Sequence, residues 1–465
     1  MTSHSPGETE TASYSSTSTT TEELHALFEA QRAAFQKNMY PSLEERIEVL
    51  ETLESMVKDC RKDAEEALAQ DFYTHPPHLT KFLELGGVLT GSRSARANLK
   101  KWMRSQPLPL DRAVYGNSRS YVTYQPKGVV GNMAPWNAPF LVSLAPLADI
   151  LAAGNRAIVK PSELAPASAA LIKEIVSRSF EPDHVAVVTG GTDLAQEFAG
   201  LPWDHLMYTG GQAVGKLVMK AASENLTPVT LELGGKCPVI ISADSIDNET
   251  VSDILVGKIA KNGQACLAPD YVFVPEGKQD PFISLCQEIM PGIMPSYSEN
   301  PQCTGIINET HLDRLLSYLE DAERKGARLV QLYASAEPVN RKERKIPFTL
   351  VLNPDDEMEV MKNEIFGPIM PVKTYRSIEE VISYVNSGER PLALYCYTKD
   401  KRLAKDVLRR TVSGGACINS IAGHVFQPSM PFGGIGHSGM GRYRGFEGFK
   451  TFSNQRAVFE KGKSV

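Results

Sequence analysis

Strand-like and helical stretches alternate along residues 128–231, and this alternation limits the possible folds more than any other feature of the chain. Short apolar runs such as 157–159 are followed by stretches with helical spacing such as 166–178. Alternation of this kind predicts a parallel sheet with helices packed against it. Because such sheets bind ligands beyond the carboxyl ends of their strands, we expect ligand-binding residues along that edge.

A second αβ pattern runs from residue 232 to about 430 and includes a predicted helix over 253–262 that leads to Cys266. Near the start of the chain, the capping-box sequence Ser-Leu-Glu-Glu at 42–45 predicts a helix that continues to about Gln70. Two β-like segments, 118–126 and 457–459, fall outside the alternation. Isolated strands need partners, so these segments are expected to pair with each other or across a subunit interface.

Composition excludes several classes of protein. A chain of 465 residues suggests two or three domains, and a net charge of −6 gives no reason to expect nucleic acid or anionic membrane as a partner. The seven scattered cysteines indicate reduced thiols in the cytoplasm, and the nine histidines form no metal-binding motif, so no metal site is expected. No apolar run is long enough to anchor the chain in a membrane. Residues 1–21 are rich in Ser and Thr, which predicts a disordered tail.

Three side chains supply the groups that oxidation of an aldehyde through a thioester requires. Cys266, set among small residues at 262–266, is the candidate nucleophile. Asn137, between two prolines, can donate a hydrogen bond to the oxyanion, with the Cys266 backbone N–H as second donor. Glu232, before a Gly-Gly pair, is the candidate base that activates water. The alternative interpretations are a buried core cysteine, a turn asparagine and a solvated glutamate. On local grounds alone, the alternatives are favoured for Cys266 and Asn137.

Cofactor signals are individually weaker. The sequence Lys-Pro-Ser-Glu at 160–163 follows a short strand, where Lys160 could hold ribose hydroxyls or phosphate and Glu163 could accept hydrogen bonds from the ribose. Otherwise Ser162 is an ordinary helix cap. The glycines at 210–215 lack the usual dinucleotide spacing, yet a glycine turn at a helix N-terminus still makes a pyrophosphate site. Glu364 and Phe366 could grip the nicotinamide and its ribose, although an ordinary loop is the simpler interpretation.

Taken together, the ordered motifs resemble the aldehyde dehydrogenase superfamily over residues 22–465. They are Pro-Trp-Asn at 135–137, Lys-Pro-Ser-Glu at 160–163, Thr-Gly-Gly at 209–211, Glu-Leu-Gly-Gly-Lys at 232–236, Gly-Gln-Ala-Cys at 263–266, Glu-Ile-Phe-Gly-Pro at 364–368 and Pro-Phe-Gly-Gly at 431–434. The segment 439–453 is similar to the class 3 branch, and 263–271 looks most like coniferyl-aldehyde dehydrogenases.

The resemblance implies an α/β fold with a Rossmann-like cofactor domain (22–112 and 128–231), a catalytic domain (232–430) and a small β bridging arm (113–127 and 431–465) that the family uses for dimerisation. It implies Cys266 as nucleophile, Glu232 as base and Asn137 as oxyanion donor. NAD is the expected cofactor, with NADP possible, and a homodimer is expected. The cofactor would be held by Trp136, Lys160, Ser162, Glu163, Gly211, Gly215, Leu233, Glu364 and Phe366.

Four functions compete. The favoured function is oxidation of an aromatic or cinnamyl aldehyde to its carboxylic acid. Acylating chemistry with coenzyme A is disfavoured by Glu232, because such relatives usually lack the glutamate. A structural protein on the same fold would tolerate loss of Cys266 or Glu232, and neither is lost. A membrane-held fatty-aldehyde enzyme would carry an apolar C-terminal tail, whereas the tail here is polar. Candidates for the substrate entrance are Phe140, Leu267, His424 and Phe426.

Overall fold

The computed structural model describes residues 18–333 and 335–462. Its helices are α1 Thr21–Lys37, α2 Leu43–Asp59, α3 Arg61–Phe72, α4 Pro77–Leu79, α5 Gly86–Trp102, α6 Arg112–Tyr115, α7 Pro139–Ala152, α8 Pro166–Ser179, α9 Thr192–Gly200, α10 Gln212–Ser223, α11 Asn248–Ile259, α12 Gln279–Ile293, α13 Glu309–Arg324, α14 Glu359–Lys362, α15 Ile378–Ser387, α16 Lys401–Arg410, α17 Gly423–Phe426 and α18 Gly445–Thr451. A π-helix spans Thr80–Leu85, and a 3₁₀ turn spans Ala260–Gly263.

The strands are β1 Gln106–Pro107, β2 Arg119–Pro126, β3 Val129–Met133, β4 Arg156–Lys160, β5 Val185–Val187, β6 His205–Gly210, β7 Val229–Leu233, β8 Pro238–Ile241, β9 Tyr271–Pro275, β10 Arg328–Gln331, β11 Thr349–Leu352, β12 Ile369–Tyr375, β13 Ala393–Tyr397, β14 Gly415–Ile418, β15 Gly439–Met440 and β16 Ser453–Glu460. They form three sheets, with the orders β15-β7-β6-β3-β4-β5, β10-β11-β12-β9-β8-β13-β14 and β1-β2-β16.

The six-stranded sheet is parallel from β7 to β5, and both of its faces are buried. Val130 and Val159 pack into one hydrophobic cluster with α7 and α8, while Val129 and Ile158 pack into another on the opposite face. Successive side chains of a strand point to opposite faces, so a sheet covered by helices on both sides needs apolar residues at every position. The predicted α/β fold is confirmed.

The seven-stranded sheet lies within the second αβ pattern and is parallel except for β10, which pairs antiparallel with β11. The predicted boundary at 231/232 falls within β7, the last parallel strand of the first sheet. β15 returns from late in the chain and pairs with β7, placing Gly439 opposite Glu232. A segment assigned to the arm therefore also borders the six-stranded sheet.

Two predicted helices differ in extent. The capping box at Ser42 is present, but the helix behind it breaks at Cys60, whose ψ of 7° leaves the helical range, so α2 and α3 are separate helices. No glycine or proline marks this break in the sequence. The helix predicted over 253–262 starts earlier, at the Asp247 cap, and ends at Ile259.

The two β-like segments outside the alternation pair with each other. β2 and β16 form an antiparallel pair over their full length, from Arg119 opposite Glu460 to Pro126 opposite Ser453. Most of the 1–21 tail lies outside the described residues, but Thr19 bonds to the Thr189 backbone and Thr20 caps α1. No helix in the described part of the chain is long and apolar enough to cross a membrane.

Candidate active site

Four strands of the six-stranded sheet end at one edge, the carboxyl edge, where most of the predicted site residues lie. β3 lies between β4 and β6, so its carboxyl end is the topological switch point of the sheet, where ligands bind in folds of this type. The residues at or just beyond the four strand ends are Trp136 and Asn137 after β3, Lys160 in β4, Gly211 after β6, and Glu232 and Leu233 in β7.

Three further predicted residues lie on the amino edge of the seven-stranded sheet. Cys266 precedes β9, while Glu364 and Phe366 precede β12. The two edges face each other: the Trp136 and Phe366 rings meet edge-on, with centroids 5.4 Å apart, and a Cβ on Gly234 would lie 2.0 Å from the Glu364 carboxylate. The structure thus brings the nucleophile, the base and the amide predicted from sequence into one cleft.

The Asn137 side chain points towards the cysteine turn. It is buried, and its Nδ2 donates a hydrogen bond to the Gln264 carbonyl at 3.2 Å, two residues before Cys266. A carboxamide nitrogen carries two hydrogens, so one remains available to a ligand oxygen. The position fits a donor to an oxyanion formed at the cysteine.

The turn that presents Cys266 has an unusual backbone. Lys261, Asn262 and Gly263 all have positive φ, of 49°, 59° and 74°. A Cβ on Gly263 would lie 2.3 Å from the Gly367 carbonyl oxygen, so only glycine fits there. Gln264 is buried and anchors the turn, because its side chain bonds to the backbone of three residues, Lys261, Gly305 and Ile307.

The surroundings of Cys266 disfavour ionisation of its thiol. Burial raises its pKa to about 12, and the negative charges of Glu364 and Glu232 act in the same direction. A second thiol donates a hydrogen bond to the backbone of Cys266, since Cys237 Sγ lies 3.2 Å from the Cys266 carbonyl oxygen. A role for Cys266 as a nucleophile would therefore require the thiol to lose its proton during the reaction.

Glu232 is buried, with 3% of its surface exposed, and neither carboxylate oxygen has a hydrogen-bond partner among the described residues. Burial raises its pKa to about 8, and the positive charges of Arg444 and Arg442 oppose that rise. A carboxyl with a pKa near neutrality and unused acceptor oxygens suits proton transfer at physiological pH.

Arg444 was not predicted as a site residue. Its guanidinium lies 5.2 Å from the Phe432 ring and 5.6 Å from the Tyr443 ring, and it donates to the Val425 carbonyl. The only sequence signal was the run of glycines at 433–441, which indicates a close approach of chain segments. His311 was missed as well: its ring stacks obliquely on Trp136, with centroids 4.9 Å apart.

The carboxyl edge offers places for a dinucleotide. Lys160 is buried, and its Nζ lies 3.2 Å from the half-exposed carboxylate of Glu163, while Ser162 Oγ accepts from the Leu164 backbone. Within the described residues no side chain caps the start of α10 after Gly211, which leaves free N–H groups for a phosphate. Gly215 instead packs against Leu233, since a Cβ there would lie 2.7 Å from it.

On the opposite side, Glu364 and Phe366 approach the same cleft. Burial raises the pKa of Glu364 to about 8, and Asp270 adds to the rise. Phe366 has a φ of 53°, which turns its ring towards Trp136. These features fit a nicotinamide and its ribose between the two edges. In the described ranges no three His, Cys, Asp or Glu side chains are grouped to hold a metal ion.

The four residues predicted to line the substrate entrance differ in how exposed they are. Phe140 has no exposed surface and packs in the core of α7, so it does not line an entrance. Leu267 and His424 are buried, and His424 Nδ1 lies 3.0 Å from Cys417 Sγ. Phe426 is exposed. The sequence could not distinguish these cases, because an apolar residue near the site fits either a core or a pocket wall.

Comparison with known proteins gives a consistent result. The family model described as Aldehyde dehydrogenase family matches residues 1–458. A probable coniferyl aldehyde dehydrogenase from Pseudomonas aeruginosa is 45% identical over 442 residues, covering 94% of this chain and 91% of the relative. A coniferyl aldehyde dehydrogenase from another Pseudomonas strain is 40% identical over 438 residues, covering 94% and 90%.

Two solved structures superpose on this chain over most of its length. The substrate-bound state of AldH from Staphylococcus aureus superposes with a TM-score of 0.90 at 33% identity, covering 95% of each chain. An aldehyde dehydrogenase from Mycobacterium tuberculosis in complex with NAD⁺ superposes with a TM-score of 0.84 at 26% identity, covering 96% of this chain and 92% of that one.

Proposed function

Because the chain belongs to the aldehyde dehydrogenase family, whose members use NAD(P), we propose that it oxidises an aromatic or cinnamyl aldehyde, such as coniferyl aldehyde, to the carboxylic acid. The names of its relatives support this substrate class. The observation that carries the proposed mechanism is the cleft in which Cys266, Asn137 and Glu232 converge from two sheets.

In the first step, Cys266 Sγ bonds to the aldehyde carbon as its S–H bond breaks and the proton passes to solvent water. The carbonyl oxygen becomes an oxyanion, which accepts hydrogen bonds from Asn137 Nδ2 and from the Cys266 backbone N–H. Donors already directed at the developing charge need no rearrangement during the reaction, which is why they lower the barrier.

NAD(P), when bound, would accept the hydride that leaves the carbon bonded to Cys266 Sγ as the C=O bond re-forms and the thioester is produced. Lys160 and Glu163 would hold its adenosine ribose, and the start of α10 would hold its pyrophosphate. The nicotinamide half would lie between Trp136, Glu364 and Phe366. The proximity of Lys160 and Glu163, at 3.2 Å, supports this arrangement because one group donates and the other accepts hydrogen bonds to ribose hydroxyls. The same carboxylate disfavours a 2′-phosphate, so we expect NAD to be preferred over NADP.

In the last step, Glu232 takes a proton from water as the water attacks the thioester, which releases the acid and restores the thiol. The unpartnered oxygens of Glu232 support this role. A coenzyme A acceptor would not need this base, so the presence of Glu232 favours hydrolysis over acylation.

We also propose a domain organisation and an oligomeric state for this protein. Residues 22–112 and 128–231 form the cofactor domain, 232–430 the catalytic domain, and 113–127 with 431–465 the bridging arm of a cytoplasmic homodimer. Among the described strands none pairs with the outer edge of β16, which leaves it free for another chain. Light scattering coupled to size exclusion should give twice the mass of one chain, and a monomer would contradict the dimer.

A substrate panel tests the proposed activity. We expect kcat/KM for coniferyl aldehyde and cinnamaldehyde to exceed that for hexanal and decanal by roughly tenfold or more, since a pocket shaped for a ring loses contacts with a flexible chain. Higher kcat/KM for the linear aldehydes would favour the alternative, a medium- or long-chain fatty-aldehyde enzyme.

A further inference from the structure

The π-helix at Thr80–Leu85 carries a buried carboxylate to the start of α7. Glu84 has 0% of its side chain exposed, and its Oε2 accepts hydrogen bonds from the backbone N–H groups of Phe140, at 3.1 Å, and Leu141, at 3.3 Å. α7 begins only two residues after Asn137. The Glu84 carboxylate therefore holds the helix end from which the Asn137 loop emerges.

The other oxygen of Glu84 binds a cation from the second half of the site. Lys261 has 2% of its side chain exposed, its Nζ contacts Glu84 Oε1, and it lies 4.4 Å from the Phe72 ring. A buried ion pair often contributes no more to stability than apolar residues of the same volume. Stability alone thus gives no reason for two buried charges at this place.

The pair closes a ring of contacts that includes Asn137 and the cysteine turn. The Lys261 carbonyl accepts from Gln264 Nε2 at 3.1 Å, and the Gln264 carbonyl accepts from Asn137 Nδ2 at 3.2 Å. The chain from Asn137 to Phe140 then leads back to Glu84. Every link is a direct contact between buried groups, and the ring joins the carboxyl edge to the turn that carries Cys266.

We propose that Glu84 and Lys261 are positioning residues that fix the Asn137 amide against the cysteine turn, so that the oxyanion donor is in register with Cys266. The inference rests on the proposed role of Asn137. It assigns no contact with substrate or cofactor to either residue, and it predicts that their effect on turnover passes through Asn137.

The test compares Lys261→Met in two backgrounds. In the otherwise native protein, Lys261→Met should lower kcat with coniferyl aldehyde by roughly 10- to 100-fold, the effect of misplacing a reacting group by about 1 Å. NAD binding, followed by quenching of tryptophan fluorescence, should be unchanged. Added to Asn137→Ala, the same substitution should lower kcat by less than about threefold, because the donor it positions is already gone.

Glu84→Gln provides the second variant. It keeps an oxygen that can accept from Phe140 and Leu141 and removes the charge that holds Lys261, so it should show the same dependence on Asn137 if Lys261→Met folds poorly. Lys345→Met is the matched control: Lys345 is also buried and paired with a carboxylate, Glu343, but lies outside the ring. We expect it to lower the melting temperature and leave kcat unchanged.

The outcomes separate the two hypotheses. If Asn137→Ala itself keeps turnover, the proposed role of Asn137 is wrong. If Asn137→Ala loses turnover and the losses from Lys261→Met or Glu84→Gln multiply with it, the positioning role is overturned while the proposed function stands. A lower melting temperature with unchanged kcat in these variants would also overturn the positioning role, because the pair would then only stabilise the fold.

Discussion

The two edges that form the cleft hold their functional groups in different ways. On the carboxyl edge of the six-stranded sheet, Lys160 and Glu232 lie within strands, so the sheet itself sets their positions, whereas Asn137 lies in the loop beyond β3. On the amino edge of the seven-stranded sheet, Cys266 and Glu364 lie on turns before the strands. Those turns depend on positive φ angles and on buried side-chain bonds such as those of Gln264.

The difference shows what each half of the site depends on. A regular sheet tolerates changes in side chains away from its ends, because the backbone hydrogen bonds persist. A turn built from left-handed residues depends on individual groups, and one added atom at Gly263 would collide with Gly367. We expect loss of the Cys266 thiol on the amino edge to remove activity outright and changes on the carboxyl edge to lower it in proportion to the group lost.

The largest effect is expected on the amino edge. Cys266→Ala should abolish aldehyde oxidation, because no other group in the cleft can form the thioester, while NAD should still bind at the carboxyl edge. Stopped-flow absorbance at 340 nm and cofactor binding by fluorescence measure the two properties. Cys286→Ala is the matched control, a buried free thiol in α12, and should retain full activity. Substantial turnover by Cys266→Ala would remove it from the role of nucleophile.

On the carboxyl edge, Glu232→Gln should lower the steady-state rate by roughly 10²- to 10⁴-fold while a single burst of NADH remains, because only thioester hydrolysis needs the base. The same residue predicts a pH dependence. With a pKa of about 8, Glu232 is mainly protonated at pH 7, so hydrolysis in the native protein should speed up as pH rises through 8. That rise should be missing in the variant. Absence of the burst would instead place Glu232 in the first step.

Asn137→Ala should lower kcat by roughly 10²- to 10³-fold, the usual effect of removing one oxyanion donor. Both the burst and the steady state should slow, since the donor serves the tetrahedral species in both half-reactions. Comparison of burst rates with those of Glu232→Gln separates the two carboxyl-edge residues. If only cofactor affinity changes, Asn137 belongs to the cofactor site.

The smallest effect is expected farthest from the amino edge. Glu163→Gln should shift the ratio of kcat/KM for NADP to that for NAD several-fold towards NADP, because the variant lacks the negative charge that opposes a 2′-phosphate. kcat with NAD should change little. An unchanged ratio would leave cofactor choice to Lys160 alone, and a native preference for NADP would refute the role given to Glu163.

The sequence predicted the carboxyl edge better than the amino edge, for a physical reason. Strand–helix alternation is a local signal, and once it defines a parallel sheet, the rule for strand ends places Lys160 at the ligand-binding edge. The predicted helix over 253–262 extends beyond the observed end at Ile259. Lys261 and Asn262 adopt left-handed backbone angles, and their residue types do not predict those angles. Arg444 and Glu84 reach the site through contacts between distant parts of the chain, which local patterns do not encode.

The raised pKa of the Cys266 thiol also affects how readily oxidants react with it. Peroxide and other oxidants react with the thiolate, and a group with a pKa of about 12 is almost wholly protonated at pH 7. Cys237, buried beside it, is protected in the same way. Because burial disfavours the ionised form of both thiols, we expect Cys266 of the resting protein to react with peroxide more slowly than a free cysteine does.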